Sequence, residues 1–280
     1  MSNFEVINRL VRKKKVLMDQ KYLKQKNQYL DAIGSEKKIL ILGNQKTGST
    51  AIADLIAKRS DSSVMLDIQS VLSDPSWLLE QRYGLSSFSE FLFQKKSEFS
   101  PKILKEPSLT FFYPELVKHF PQARYAFIIR NPLENIRSIL NRLNIPGDLK
   151  GVNMEDWPEL SSMPTWKLAL DSTWLGCPSG NYIEALAYRW NVAANVYLKN
   201  KDAMYLIKYE QFLKDKTGIV DSACDYLGLE PVRNISEFLN KQYQSKGDSG
   251  VDLADFFGSE NYNVIKKICQ PLANKFGYII

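Results

Sequence analysis

The sequence predicts an α/β fold in which a central parallel sheet of about five strands is flanked by helices, giving three layers. Five short apolar runs alternate with longer segments whose apolar residues recur at helical spacing. This alternation is typical of parallel strands joined by right-handed helical crossovers. At 280 residues with 44% hydrophobic content, the chain can bury the core of one large domain. The runs predicted as strands are residues 39–42, 64–67, 103–105, 125–129 and 204–208.

The beginning of the chain differs in charge from the rest. Residues 1–38 contain ten of the 37 Lys and Arg residues and four of the 31 Asp and Glu residues, so they carry the whole net charge of +6. Apolar residues at helical spacing predict a helix over residues 1–34 that ends near Gly34. We therefore predict a basic helical extension over residues 1–37 and one domain over residues 38–280. Its lysines suit an anionic membrane surface or an acidic partner; packing on its own domain or in a homodimer is the alternative.

The composition argues against several classes of protein. No apolar run reaches the roughly 18 residues needed to cross a bilayer. The three cysteines are far apart and odd in number, which fits a reducing compartment, and we expect the protein to be cytoplasmic. Charges balance outside the extension, so nucleic acid is not an expected partner. A single histidine cannot anchor a metal cluster.

The segment GNQKTGST, from Gly43 to Thr50, lies between the first predicted strand and a predicted helix. A strand, a small polar loop and a helix N-terminus bind phosphate, because the first helical N–H groups lack intrahelical partners and the helix dipole favours an anion. In the phosphate loop of ATP- and GTP-binding proteins, lysine directly follows the second glycine. Here Ser49 follows Gly48, and Lys46 stands two residues before it. Lys46 is therefore predicted to approach the anion from another side.

A second anion site is predicted after the fourth strand, which ends at Arg130. In nucleotide kinases the corresponding strand tends to end in an aspartate that serves Mg²⁺. Pro132 suits the first turn of a helix, and Ser138 and Arg142 share one face of that helix because they are four residues apart. Two guanidiniums and a hydroxyl form an anion site that needs no metal ion.

The loop and the pattern RNPxxxxxSxxxR resemble the sulfotransferases that use 3′-phosphoadenosine 5′-phosphosulfate (PAPS). Two further segments are similar to that family, KEPSLTFFYPELVKHFPQARYAFIIRNP and YLIKYEQFLKDKTGIVDSACDYLGLE. The resemblance covers residues 38 to about 230 and, more loosely, the C-terminal PLANKFGY. It is nearer to the bacterial and tyrosylprotein branch, because Pro107 stands where the cytosolic branch has its catalytic histidine. The resemblance implies a P-loop-type fold and PAPS as co-substrate, without a metal.

The resemblance also implies which residues hold the donor. The loop residues hold the 5′-phosphosulfate, and Lys46 neutralises the bridging oxygen as the 5′-phosphate leaves. Arg130 and Ser138, with Arg142 on the same helix face, hold the 3′-phosphate. Tyr209 lies against the nucleotide or, alternatively, is a core tyrosine. The expected donor-binding residues are Gln45, Lys46, Thr47, Gly48, Ser49, Thr50, Arg130, Ser138, Arg142, Tyr209, Lys246 and Gly247.

Four residues are expected to carry the chemistry: Lys46, Asp67, Lys105 and Glu106. Lys105 resembles the second lysine of the family, near the sulfuryl group. The acceptor hydroxyl needs a base, and Asp67 stands where the tyrosylprotein branch places a glutamate. Glu106 is the alternative base, although neighbouring strand residues point to opposite faces, so Lys105 and Glu106 should not both face the site.

The acceptor is expected to lie under residues 143–180, an irregular stretch that holds three of the five tryptophans. These tryptophans either form an apolar platform for a sugar or lipid or pack the irregular stretch. The sequence thus predicts sulfuryl transfer from PAPS to a hydroxyl, or an amine, of a glycan, lipid or secondary metabolite. The alternatives are a small-molecule kinase with an atypical phosphate loop and a non-catalytic nucleotide-binding scaffold.

Overall fold

The computed structural model describes residues 3–158, 160, 164–178, 180–241, 243 and 250–280, and for residues 3–18 and 154 it describes the backbone alone. These residues contain one five-stranded, all-parallel sheet in the order β2-β3-β1-β4-β5. The prediction of a three-layer fold around about five parallel strands is confirmed. The strands are β1 Ile39–Gly43, β2 Val64–Met65, β3 Ile103–Lys105, β4 Arg124–Ile129 and β5 Met204–Lys208.

One strand end differs from the prediction, and the residue after another strand leaves the strand geometry. β2 stops at Met65 and does not reach Asp67, because this edge strand pairs with β3 only at Val64 and Met65. β3 ends at Lys105, and Glu106 is the N-cap of the 3-10 helix Pro107–Phe112. The alternation of side chains along a strand therefore does not extend from Lys105 to Glu106.

Helices cover both faces of the sheet. In the N-terminal half they are α1 Asn3–Ser35, α2 Ser49–Arg59, α3 Gln69–Ser73, α4 Ser76–Arg82, α5 Phe88–Gln94 and α6 Tyr113–His119. In the C-terminal half they are α7 Pro132–Leu143, α8 Lys167–Leu170, α9 Tyr182–Lys199, α10 Tyr209–Lys214, α11 Lys216–Leu227 and α12 Leu253–Ala273. Further 3-10 turns are Met154–Asp156, Pro164–Trp166, Thr173–Leu175, Lys201–Ala203, Ser236–Phe238 and Asn274–Phe276.

The helix starts follow from local capping. Asn131 caps α7 by accepting hydrogen bonds from the backbone N–H groups of Leu133 and Glu134, and Pro132 occupies the first turn as predicted. Asn181 and Glu184 form a capping box at the start of α9. These caps fix the two helices that bring Ser138, Arg142 and Arg189 towards the sheet.

Two apolar cores lie on the two faces of the sheet. Leu40 and Leu42 of β1 point into the larger core, which contains residues of α5, α6, α7, α9 and α12. Ile39 and Ile41 point into the smaller core, formed with α2 and α11. Because successive strand residues alternate between faces, β1 is buried on both sides.

The C-terminal part of α1 packs against the domain. Ile33 is 3% exposed and belongs to the larger core. Lys26 Nζ lies 2.8 Å from Glu90 Oε2 of α5, and the ring of Tyr22 makes an edge-on contact with Phe93. The apolar residues predicted for the first turns of this helix have side chains outside the described part of the chain.

The irregular stretch around residues 143–180 contributes tryptophans to the larger core. Trp174 is 3% exposed and donates a hydrogen bond from Nε1 to the carbonyl of Leu168. Trp157 and Trp166 are partly buried against the same core. The structure therefore favours the packing interpretation for Trp174. Over the residues described above, the structure contains no helix with the length and apolar character that a membrane span requires.

Candidate active site

The phosphate loop has the backbone geometry of a tight turn into a helix. Gly48, the N-cap of α2, has φ 84°, a left-handed conformation that glycine adopts without strain. A Cβ at this position would lie 2.3 Å from the ring of Tyr209. Thr47 Oγ1 donates to the carbonyl of Asn44 at 2.9 Å and closes the loop on itself. Tyr209 thus packs against the loop and is half-buried, so it lies neither fully in the core nor fully exposed.

Cationic side chains converge on one side of the loop. Arg130 follows β4, donates from Nη1 to the carbonyl of Lys46 at 3.2 Å, and stacks over Tyr209 at 4.7 Å. Its Nη2 lies 3.2 Å from Glu134 Oε2. Burial, followed by the charges of Arg142 and Arg130, lowers the pKa of Lys46 to about 8. An anion bound among these groups would stabilise their charged forms.

The helix α7 carries the other two residues of this cationic side. Ser138 is half-buried on α7, and Arg142 is exposed one turn later. The effect of Arg142 on the pKa of Lys46 indicates that its charge acts at the loop. Arg130 and Arg142 therefore bring two positive charges to the loop, and Ser138 lies one turn before Arg142 on the same helix.

An acid and a lysine meet on the other side of the loop. Lys105 Nζ at the end of β3 lies 2.5 Å from Oδ1 of Asp67. The Lys105 side chain is 3% exposed and that of Asp67 is 31% exposed. Burial raises the pKa of Asp67, while the charge and hydrogen bond of Lys105 oppose this rise. The contact joins two residues that the sequence placed at neighbouring strand ends.

Glu106 is enclosed and engaged with the backbone. Its Oε1 accepts a hydrogen bond from the N–H of Ser108 at 2.9 Å, and its Oε2 accepts one from the N–H of Ile68 at 3.2 Å. Burial, and then the charge of Asp67, raises the pKa of Glu106. The side chain thus ties the segment after β2, next to Asp67, to the start of the 3-10 helix after β3.

A buried arginine that the sequence analysis missed supports the loop. Arg189 of α9 is 1% exposed and donates from Nε to Asn44 Oδ1 at 3.2 Å. It also donates to Gln45 Oε1, from Nε at 3.0 Å and from Nη2 at 2.9 Å. Its guanidinium lies 4.4 Å from the ring centre of Phe111. The available sequence signal was its helical spacing with Leu186 and Ala193, which places an arginine on an apolar face.

Asn135 of α7 completes this support. Asn44 Nδ2 donates to Asn135 Oδ1 at 2.9 Å, and Asn135 Nδ2 donates to the carbonyl of Gln45 at 2.7 Å. All three buried side chains, Arg189, Asn44 and Asn135, are at most 2% exposed. The loop is therefore held by polar contacts from both α7 and α9.

The predicted site residues lie at one edge of the sheet, with exceptions. Asp67, Lys105, the loop, Arg130 and Tyr209 follow the carboxyl ends of the five strands, the edge where parallel α/β sheets bind ligands. Trp190 is a core residue: it is 1% exposed and donates from Nε1 to the carbonyl of Arg130 at 2.9 Å. Lys246 and Gly247 lie outside the described residues. Within those residues, no group of three or more His, Cys, Asp or Glu side chains is arranged to hold a metal ion.

Comparison with known proteins identifies the family. A sequence model described as "Sulfotransferase family" matches residues 68–233. A search of curated proteins finds no match to the chain. Because the matched segment spans more than half of the chain, the protein belongs to the sulfotransferase family, and it is an enzyme of sulfuryl transfer.

Solved structures of sulfotransferases are similar to this chain. A sulfotransferase from Mycobacterium avium is 14% identical, with a TM-score of 0.53, over 93% of this chain and 82% of that chain. A mouse sulfotransferase complexed with PAP is 15% identical, with a TM-score of 0.49, over 88% of each chain. A sulfotransferase from Alicyclobacillus acidocaldarius is 14% identical, with a TM-score of 0.44, over 84% of this chain and 96% of that chain. At this identity the first of these likenesses supports a shared fold alone.

Proposed function

We propose that this protein transfers the sulfuryl group of PAPS to a hydroxyl, or an amine, of a glycan, lipid or secondary metabolite. The observation that carries the proposal is the order of the strands. β1 and its loop lie between β3, which ends at Lys105, and β4, which leads to Arg130. The loop is thus flanked by an acid–lysine pair on one side and by arginines on the other.

The cationic side suits the anionic groups of the donor. Arg130 and Arg142, with the hydroxyl of Ser138, have the charge and hydrogen-bonding capacity to hold a 3′-phosphate. The backbone N–H groups from Thr47 to Thr50 at the start of α2 suit the 5′-phosphosulfate. The lowered pKa of Lys46, about 8, supports this assignment because it reflects nearby positive charge and burial that an anion would offset. Arg130 also stands where a kinase strand tends to end in a metal-binding aspartate, which disfavours the kinase alternative.

The acid–lysine side suits activation of the acceptor. PAPS, when bound, supplies an activated sulfuryl group whose leaving group is a phosphate. Asp67 accepts the proton of the acceptor hydroxyl, and its partial burial makes it a stronger base than an exposed aspartate. Lys105, which contacts Asp67, orients the carboxylate. Its strand pairs with β1, the strand that leads into the loop, and we assign the sulfuryl oxygens to its ammonium group. Lys46 neutralises the charge that develops on the 5′-phosphate.

Asp67 is preferred over Glu106 as the base. Both oxygens of Glu106 accept backbone N–H groups, and the residue is 2% exposed. Glu106 therefore serves to position the segment that carries Asp67. The acceptor reaches Asp67 from the side of the irregular stretch after α7, where the partly buried Trp157 and Trp166 supply apolar surface.

We also propose what the basic extension contacts and where the enzyme works. The basic extension over residues 1–37 contacts an anionic membrane surface, an acidic partner or a second copy of the chain. The domain over residues 38–280 carries the site. The cysteines Cys177, Cys224 and Cys269, all in the described part of the chain, are free, which is consistent with a reducing cytoplasm.

The test is transfer of radiolabelled sulfate from PAPS to panels of glycans, lipids and phenols. We expect at least one acceptor to be labelled, and Lys46→Ala to lower the turnover by roughly 10²–10³-fold, the loss typical of a preorganised transition-state donor. Phosphoryl transfer from ATP would identify the kinase alternative. Binding of adenosine 3′,5′-bisphosphate without transfer to any acceptor would favour the scaffold.

A further inference from the structure

The contacts of Arg189 determine how the amides around the phosphate loop are oriented. A guanidinium can only donate hydrogen bonds, and although burial lowers the pKa of Arg189, the group stays charged at neutral pH. Both contacts to Gln45 must therefore end on its oxygen, Oε1. The same reasoning places Oδ1 of Asn44 towards Arg189. The usual ambiguity between the oxygen and nitrogen of an amide is thus removed by chemistry.

The contacts close into a ring around Gln45. Arg189 donates to Asn44, Asn44 donates to Asn135, and Asn135 donates to the carbonyl of Gln45. Arg189 then returns to the Gln45 side chain. Gln45 is consequently held at both its backbone and its side chain, although it lies in a loop. Each member of the ring fixes the orientation of the next, which is how buried polar networks rigidify a site.

This ring directs the amino group of Gln45. Since Oε1 faces Arg189, the two N–H donors of Nε2 lie on the opposite side of the amide. Arg189 packs over Phe111 of the 3-10 helix that follows β3, and the charge of Glu106 acts on it, so the end of the Gln45 side chain lies near the segment that follows Lys105. In a transferase built as proposed above, the sulfuryl group lies between the loop and Asp67. The N–H donors of Gln45 are then available to the oxygens of that group.

Burying the charge of Arg189 is unfavourable for the stability of the fold. In the described part of the chain its hydrogen bonds go to neutral amides and its faces contact the aromatic rings of Phe111 and Trp174. Its Nη1 is buried and has no hydrogen-bond partner among those residues. Burying this charge is unfavourable for folding: burial lowers the pKa of Arg189 to about 9, although the charges of Cys177 and Glu106 oppose the shift. A functional reason for its retention is the orientation of Gln45.

We propose that Gln45 recognises the sulfuryl group by donating its side-chain N–H groups to a sulfuryl oxygen, and that Arg189 is the positioning residue that holds Gln45 in this orientation. This inference rests on the proposed function and adds a specificity determinant to it. Gln45 distinguishes PAPS from adenosine 3′,5′-bisphosphate, which lacks the sulfuryl group. Arg189 acts on the reaction only through Gln45.

The first experiment compares the affinities of the two nucleotides by calorimetry in the absence of an acceptor. Gln45→Met, which keeps the length of the side chain but removes its donors, should weaken PAPS binding roughly tenfold or more, as expected for one hydrogen bond to a charged group. Binding of the bisphosphate should change less than about twofold. Gln122→Met, at an exposed glutamine before β4, is the matched control and should change neither affinity.

The second experiment is a double-mutant cycle on kcat and on the ratio of the two affinities. Arg189→Met should lower both as Gln45→Met does, and the double variant should be no worse than either single variant, because the two residues act as one unit. Gln45→Glu retains an acceptor for Arg189, so its Tm should equal or exceed that of the wild type while PAPS binding is lost. This variant keeps the test meaningful if Arg189→Met folds poorly.

Two results would overturn the inference. A Gln45→Met variant with an unchanged affinity ratio and a kcat within threefold of the wild type would remove Gln45 from recognition. Additive effects of the two substitutions would mean that Arg189 does not act through Gln45. If instead the wild-type protein binds neither nucleotide, the proposed function itself fails.

Discussion

Raising the pH should weaken the binding of adenosine 3′,5′-bisphosphate, because the charge of Lys46 is lost within the physiological range. Lys46 has its pKa lowered to about 8 by burial and by the charges of Arg142 and Arg130. The bound anion favours the charged lysine, so its pKa must rise on binding. Affinity is then fully present below pH 8 and falls as the pH rises through that value.

The magnitude follows from the lowered pKa. With a pKa of about 8, roughly nine-tenths of the free protein carries a charged Lys46 at pH 7 and roughly one-tenth at pH 9. The affinity should therefore fall about tenfold between these values, equivalent to about 1.4 kcal/mol. At pH 8, binding should take up about half a proton. Above pH 7 the phosphates of the ligand contribute little to this change, because their second pKa is about 6.

Titration calorimetry from pH 6.5 to 9.5, in pairs of buffers with different ionisation enthalpies, measures the affinity and the proton uptake together. The matched variant is Lys46→Met, which cannot titrate. Its affinity should be lower than that of the wild type at pH 7 and nearly independent of pH.

A wild-type affinity that is constant between pH 7 and 9.5 would refute this reasoning, because it would mean that Lys46 does not contribute its charge to the site. The same slope in Lys46→Met would assign the pH dependence to another group.

Three further predictions follow from the contacts around the site. The wild type should prefer the bisphosphate over AMP by roughly a hundredfold, since charged hydrogen bonds contribute about 1.5–3 kcal/mol each, and Arg130→Ala should erase most of this preference. The preference is measured by the thermal shift that each ligand causes, and EDTA should leave these shifts unchanged. Asp67→Asn should keep the affinity for the donor and lose most of the rate of sulfuryl transfer. If Glu106→Gln is inactive and Asp67→Asn is active, Glu106 is the base instead. Removal of residues 1–18 should leave Tm and bisphosphate binding unchanged. Removal of all of α1 also removes the buried Ile33, so it should lower the free energy of unfolding, measured by urea denaturation, by at least about 1.5–3 kcal/mol.

The strands could be predicted because each is a short apolar run followed by a polar residue. β1, β3, β4 and β5 begin and end within one residue of the prediction. β2 was predicted too long because Leu66 continues the apolar pattern, while the ladder with β3 ends at Met65. An apolar run in the sequence indicates which residues are buried. The end of a strand depends instead on where the neighbouring strand stops offering hydrogen-bonding partners.

The support of the phosphate loop could not be predicted from local patterns. Arg189 and Gln45 are 144 positions apart, and Asn44 and Asn135 are 91 positions apart. Their contacts depend on how α7 and α9 pack on the sheet. The contact between Asp67 and Lys105 could be predicted in part, because both residues lie at the ends of predicted strands. The contact also requires β2 and β3 to be neighbours in the sheet, which the sequence pattern does not specify.

The burial of β1 between two cores has a consequence for how the molecule opens. Leu40 and Leu42 anchor the strand to one face, while Ile39 and Ile41 anchor it to the other. Loosening one helical layer leaves the strand held by the other, so its amide hydrogens should exchange with solvent only when the whole sheet unfolds. The loop that continues from this strand is then ordered during folding, before any nucleotide arrives. A nucleotide that binds only the folded protein should therefore slow the exchange of the β1 amides by the same factor by which it shifts the unfolding equilibrium.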